Sequence, residues 1–136
     1  MAITLAMQAF LPPEMLENIN ETVVDDSVPV ALLLVLLVIA SPLVETVGMF
    51  VLFWLMDQRK LPLKLQIVLS AIVWGLIHNL LAPGWGYTTT WLFFIFSLVY
   101  VTQRQRSGDR AFWMTSGVHG LNNATASIGI LVEMAS

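Results

Sequence analysis

Four side chains stand out because their types could hydrolyse a bond and their surroundings should not hold them. Glu45 and His78 sit inside strongly apolar stretches of the chain, and His119 and Asn123 in the middle of a more polar one. An acid at the centre of a membrane helix costs about 2.5–3.5 kcal/mol on insertion, so such a group faces a protein interior or a wetted cavity. A carboxylate there can take a proton from water and return it to a leaving amine. An imidazole can share that role or orient the water. A second imidazole and an Asn amide can donate hydrogen bonds to the oxyanion of a tetrahedral intermediate. His119 and Asn123 are four residues apart and share a helix face, which Ser116 and Ser127 extend. Trp74 lies four residues before His78 on one face, and Ser41 and Gly48 flank the face of Glu45.

Other chemistries are narrower. Glu45, His78 and His119 could ligate zinc or another divalent metal, whereas water activated by Glu and His needs no cofactor. The chain has no H-E-x-x-H helix and no G-x-S-x-G elbow, and with no cysteine it has no thiolate nucleophile or disulfide. A single histidine in a membrane helix commonly serves as interhelical glue, and Asn79, Asn122 and Trp74 read as lining and packing. The combination of an acid, two imidazoles and an amide is what points to catalysis.

The elements that carry these groups are membrane helices. Of 136 residues, 57% are apolar and only 11% charged, and the mean hydropathy is +0.80. A soluble fold of this size could not bury that much hydrocarbon. The pattern predicts an all-α, polytopic membrane helix bundle with about four transmembrane helices. The first run, Val28–Met56, would make a helix of roughly 43 Å against about 30 Å of hydrocarbon, so it must tilt or break near Ser41-Pro42. Leu61–Ala82 is the second run and Thr88–Thr102 the aromatic-rich third, which residues 85–90 complete. Ala111–Met134, laced with Thr, Ser, His and Asn, is the fourth. On it, Gly117, Gly120 and Ala124 would let a neighbouring helix approach closely. Residues 1–27 form a separate segment: an apolar stretch too short to span, ended by Pro12-Pro13, then five acids without a base between Glu14 and Asp26. Residues 28–136 are the membrane domain.

All six Lys and Arg residues fall in two loops, 57–64 and 102–110. Four crossings put both loops on one side, which the positive-inside rule makes cytoplasmic, with both termini opposite. Three or five crossings would strand one basic loop on the wrong side. The net charge of -3 and the lack of a basic patch argue against a nucleic-acid partner. The bilayer is the expected surrounding, and nothing in the pattern fixes an oligomeric state.

In order, the motifs resemble the CPBP family of intramembrane proteases, which includes type II CAAX prenyl endopeptidases and Abi (bacteriocin-processing or immunity) proteins. That family carries E-E-x-x-x-R, F-x-x-x-H and H-x-x-x-N on successive membrane helices. Here Glu45-Thr46 stands where the first motif begins, Trp74-Gly-Leu-Ile-His78 matches the second with Trp for Phe, and His119-Gly-Leu-Asn-Asn123 matches the third in full. The likeness runs from about Val30 to Ile130 and implies a minimal CPBP-like core. It further implies an endopeptidase acting on a membrane-associated peptide or protein, with Glu45 and His78 activating water and His119 and Asn123 forming the oxyanion hole. Thr46 replaces the family's second Glu and Phe50 its Arg, so those two supporting groups are not carried over. That departure and the short chain motivate an alternative expectation, a non-enzymatic membrane protein of the same fold with a bacteriocin-immunity or scaffold role. A proton or ion path through the same buried groups is a third.

Overall fold

The computed structural model describes residues 12–15, 17 and 28–134. Most of the expected N-terminal segment, including its apolar stretch and three of its five acids (Glu21, Asp25 and Asp26), therefore lies outside the described residues. The helices from Val30 onward are α1 (Val30–Gln58), α2 (Leu63–Leu81), α3 (Trp85–Arg104) and α4 (Gly108–Met134). No strand occurs among the described residues. Each helix packs against the next, and α4 returns to α1 and closes the bundle. The expected runs are met to within a few residues, with the third helix starting at Trp85.

This exterior is that of a molecule solvated by lipid. Leu80 is 85% exposed, and Val44, Leu76, Trp91, Trp113 and Leu121 are also on the outside. Thr46, Ser70, Ser97 and Thr115 are buried instead. A soluble monomer rarely shows so much contiguous apolar surface. Two helices, α1 and α2, are long and apolar enough to cross a membrane, and only 17% and 28% of those stretches is buried, unlike the core helix of a soluble protein. The chain is an all-α helical bundle with the surface of a membrane protein.

The break expected near Ser41-Pro42 takes the form of a π-turn, Leu36–Ala40, directly before that pair. Pro42 has no N–H to offer the carbonyl four residues back, and its ring would clash there, so the preceding turn widens. Ser41 N–H bonds to Leu36 O, five residues back. The extra residue shows in the burial pattern of α1. Upstream the buried position is Leu33; downstream the buried positions are Pro42, Thr46, Met49, Phe53 and Met56.

Close crossings set the helix spacing. On α2, a Cβ at Gly75 would run into Thr90 Oγ1 and lie 3.1 Å from Gly86 O, and a Cβ at Gly86 would lie 2.7 Å from Asn79 Cβ. Gly48 faces Trp74 just as closely. Gly120 meets the backbone of α1, as expected for a helix contact, but Gly117 has nothing within 4 Å of where a Cβ would stand. Gly117 therefore points outward and takes no part in helix packing. Between α2 and α3 the chain turns at Gly84, whose φ of 91° suits glycine and whose N–H donates to Asn79 Oδ1 at 2.9 Å. The apolar core below the site includes Met49, Phe53, Ile67, Phe96 and Tyr100.

Candidate active site

Helix α1 carries Glu45 on its inner face, α2 carries His78 near its C-terminal end, and α4 carries His119 near its middle. The two imidazoles converge on one carboxylate oxygen. His78 Nε2 lies 3.9 Å and His119 Nε2 3.7 Å from Glu45 Oε2. The other carboxylate oxygen, Oε1, accepts a hydrogen bond from Ser41 Oγ, one helical turn earlier. Both histidines are buried, and the Glu45 side chain is 17% exposed.

Hydrogen-bond partners assign the two rings different tautomers. His78 Nδ1 is 2.8 Å from Trp74 O. A carbonyl oxygen only accepts, so Nδ1 carries the hydrogen and the Nε2 of the neutral ring presents a lone pair toward Glu45. His119 Nδ1 is buried with no partner. A buried N–H without an acceptor is rarer than an unfilled lone pair, so the hydrogen of that ring belongs on Nε2, facing the same carboxylate. One imidazole is thus an acceptor toward the centre of the site and the other a donor.

Aromatic rings hold both imidazoles. Phe96 stacks on His119 with centroids 4.4 Å apart, and Phe93 meets the same ring edge-on at 5.5 Å. Trp85 meets His78 edge-on at 4.9 Å. Trp74 stacks on Phe93 at 4.6 Å, and its buried Nε1 has no partner. The aromatic-rich third run signalled apolar packing in the sequence, but nothing in its spacing tied Phe93, Phe96 or Trp85 to the histidines.

Of the four residues grouped by sequence, three meet at Glu45 Oε2. Asn123 lies one turn further along α4. Its Nδ2 donates to Leu37 O on α1 at 2.9 Å, and its Oδ1 accepts from Asn122 Nδ2 at 3.3 Å. Thr46, at the place of the second Glu, is fully buried with its hydroxyl unpartnered. Phe50, at the place of the Arg, is half exposed on the outer face. At the end of the bundle with the basic loops, Arg104 donates to both oxygens of Asp57, at 3.0 and 3.3 Å, and to Gln66 Oε1 at 3.1 Å. That clamp joins α1, α2 and α3. In sequence its members look like ordinary loop-flanking polar residues.

Residues 27–125 match the family described as type II CAAX prenyl endopeptidase Rce1-like. The chain belongs to this family. Comparison with curated proteins and with solved structures gives no match. The matched stretch of the Rce1-like chain takes in Glu45, His78, His119 and Asn123. Among the described residues, no group of three His, Asp or Glu side chains is arranged to hold a metal ion. Glu45, His78 and His119, the residues that would ligate a divalent metal if one is bound, come together here with both ring Nε2 atoms within 4 Å of Glu45 Oε2. The arrangement suits acid–base chemistry on a small polar molecule.

Proposed function

We propose that this Rce1-like protein is an intramembrane endopeptidase that hydrolyses a peptide bond of a membrane-associated substrate with water activated by Glu45. The observation that carries the reading is the convergence of two differently protonated imidazoles on Glu45 Oε2, at 3.7 and 3.9 Å. Those separations exceed a direct hydrogen bond and suit a bridging water. Such a water donates one hydrogen to Glu45 and one to the His78 lone pair, and accepts from His119 Nε2–H. All three of its bonds are then made by groups whose tautomers already fit.

The reaction follows. The water oxygen attacks the scissile carbonyl carbon while its proton passes to Glu45, with His78 holding the water in line. The carbonyl oxygen becomes an oxyanion and takes the His119 Nε2–H bond. Glu45 then gives its proton to the leaving nitrogen, the C–N bond breaks, and a carboxyl and an amine are released. Asn123, the second oxyanion donor implied by the motif, has its amide committed to Leu37 O at 2.9 Å. The family's name directs the first substrate trial to a peptide ending in a prenylated CAAX sequence. In the bilayer, we place the basic loops on the cytoplasmic side of a four-crossing bundle.

Purified protein in detergent, given a fluorogenic prenylated CAAX peptide, tests this. Wild type should cleave it, and Glu45→Gln should lose at least about a thousandfold in kcat. Turnover that persists in Glu45→Gln would reject the mechanism. Buried Thr46, in place of the family's second Glu, favours one other reading, a non-enzymatic partner of the same fold. Partner binding or bacteriocin protection that survives combined loss of Glu45, His78 and His119 would support it.

A further inference from the structure

We propose that Asn123 is a positioning residue for Glu45, acting through the π-turn of α1 rather than foremost as an oxyanion donor. The inference rests on the endopeptidase reading and deepens it. It begins with Pro42. Because Ser41 N–H bonds to Leu36 O, the Leu37 carbonyl that an α-helix would pair with Ser41 is released. In apolar surroundings a released carbonyl needs another donor. The Asn123 amide supplies it, at 2.9 Å. Val38 O, left without an amide partner by Pro42, faces the same helix: a Cβ at Gly120 would stand 2.8 Å from it. Two residues of α4 thus fit the widened turn, one by a hydrogen bond and one by having no side chain.

The π-turn sets where Glu45 points. One inserted residue turns everything downstream by about 100° relative to everything upstream. Leu33 upstream and Pro42, Thr46 and Met49 downstream are all buried, so the insertion is what brings both halves of α1 inward together. If the turn anneals to a regular helix without losing a residue, one half must rotate out of register. Ser41 and Glu45 begin that downstream half. Asn123 itself has no hydrogen bond to Glu45, His78 or His119; its amide contacts are Leu37 O and Asn122.

A double-mutant cycle with an annealed helix tests this. Deleting Ile39, which is exposed, together with Pro42→Ala removes the inserted residue and restores the missing N–H, so both halves keep their faces with no π-turn to hold. Asn123→Ala in the natural chain should lower kcat on the fluorogenic prenylated CAAX peptide by about a hundredfold with little change in KM. In the annealed chain the same substitution should cost less than about threefold, because no carbonyl is left to satisfy. An equal loss in both chains would overturn the proposal and assign Asn123 directly to the oxyanion. Gly120→Ala should reproduce the kcat loss.

A second measurement needs neither activity nor the deletion. The chain has no cysteine, so spin labels at Leu32→Cys and Val47→Cys, both on the outer face, report the rotation across the π-turn. Asn123→Ala should shift or broaden their distance distribution, and an unchanged distribution overturns the proposal even if the annealed chain fails to fold. Unchanged distances beside a Glu45-dependent activity sink this inference alone. Turnover independent of Glu45 sinks the endopeptidase reading, whatever the distances show.

Discussion

At the scale of single residues, the assignment depends on which nitrogen of each imidazole carries hydrogen. His78 is fixed by Trp74 O, an acceptor, and His119 by the lack of any acceptor beside its buried Nδ1. The two histidines should therefore tolerate different replacements. His119→Gln keeps an N–H donor on a side chain of similar reach, whereas His119→Leu keeps only bulk. Removing one oxyanion donor costs about 10²–10³ in kcat. We expect His119→Leu to lose that much and His119→Gln clearly less, with KM nearly constant in both. Equal losses would show that the ring serves packing against Phe96 and not donation. The sequence disclosed these residues because acids and imidazoles in apolar runs are costly and easily seen. It could not disclose the tautomers, which depend on a carbonyl of the same helix and on rings from α3.

At the scale of elements, the glycines separate packing from propensity. Gly86→Ala would set a methyl 2.7 Å from Asn79 Cβ and against the backbone carbonyl of Gly75, neither of which can yield easily. Overpacking of this kind costs about 1–3 kcal/mol. Gly117 has open space around it, so Gly117→Ala should gain up to about 1 kcal/mol from helix propensity. Thermal unfolding in detergent should move the two variants in opposite directions, and a shift of the same sign in both would contradict the packing. Spacing alone had set Gly117 beside Gly120 as a contact residue. Positions three apart on a helix are only about 60° apart around its axis, so spacing puts both on one side, and only the location of α1 decides which of them faces it. The break in α1 was legible from Ser41-Pro42 and from excess length. Its form as a π-turn was not, because the widened turn is held by Asn123, which is 86 residues from Leu37.

At the scale of the whole molecule, mean hydropathy understates how well α3 and α4 suit a bilayer. Their polar residues are largely turned inward: Thr89, Ser97, Thr115, Ser116, His119 and Ser127 are all buried. The faces left outside carry Trp91, Ile95, Leu98, Trp113, Leu121 and Ile128. Lipid meets that surface and not the average composition, so all four helices should cross, although only α1 and α2 pass on hydropathy. The clamp of Asp57, Gln66 and Arg104 lies at the end of the bundle with the basic loops, which our proposal puts on the cytoplasmic side. Because the chain has no cysteine, single thiols report the topology directly. Gln58→Cys and Gln105→Cys lie at the two basic loops, and Tyr87→Cys, at a position 74% exposed, lies beside the opposite turn. In intact cells a membrane-impermeant maleimide should label Tyr87→Cys and spare the other two, and detergent should open all three. Protection of Gln58→Cys with labelling of Gln105→Cys, or the reverse, would mean an odd number of crossings between them and would remove α2 or α3 from the bilayer. Labelling of both, with Tyr87→Cys protected, would keep α2 and α3 across the bilayer and invert the molecule, leaving the charge rule in error.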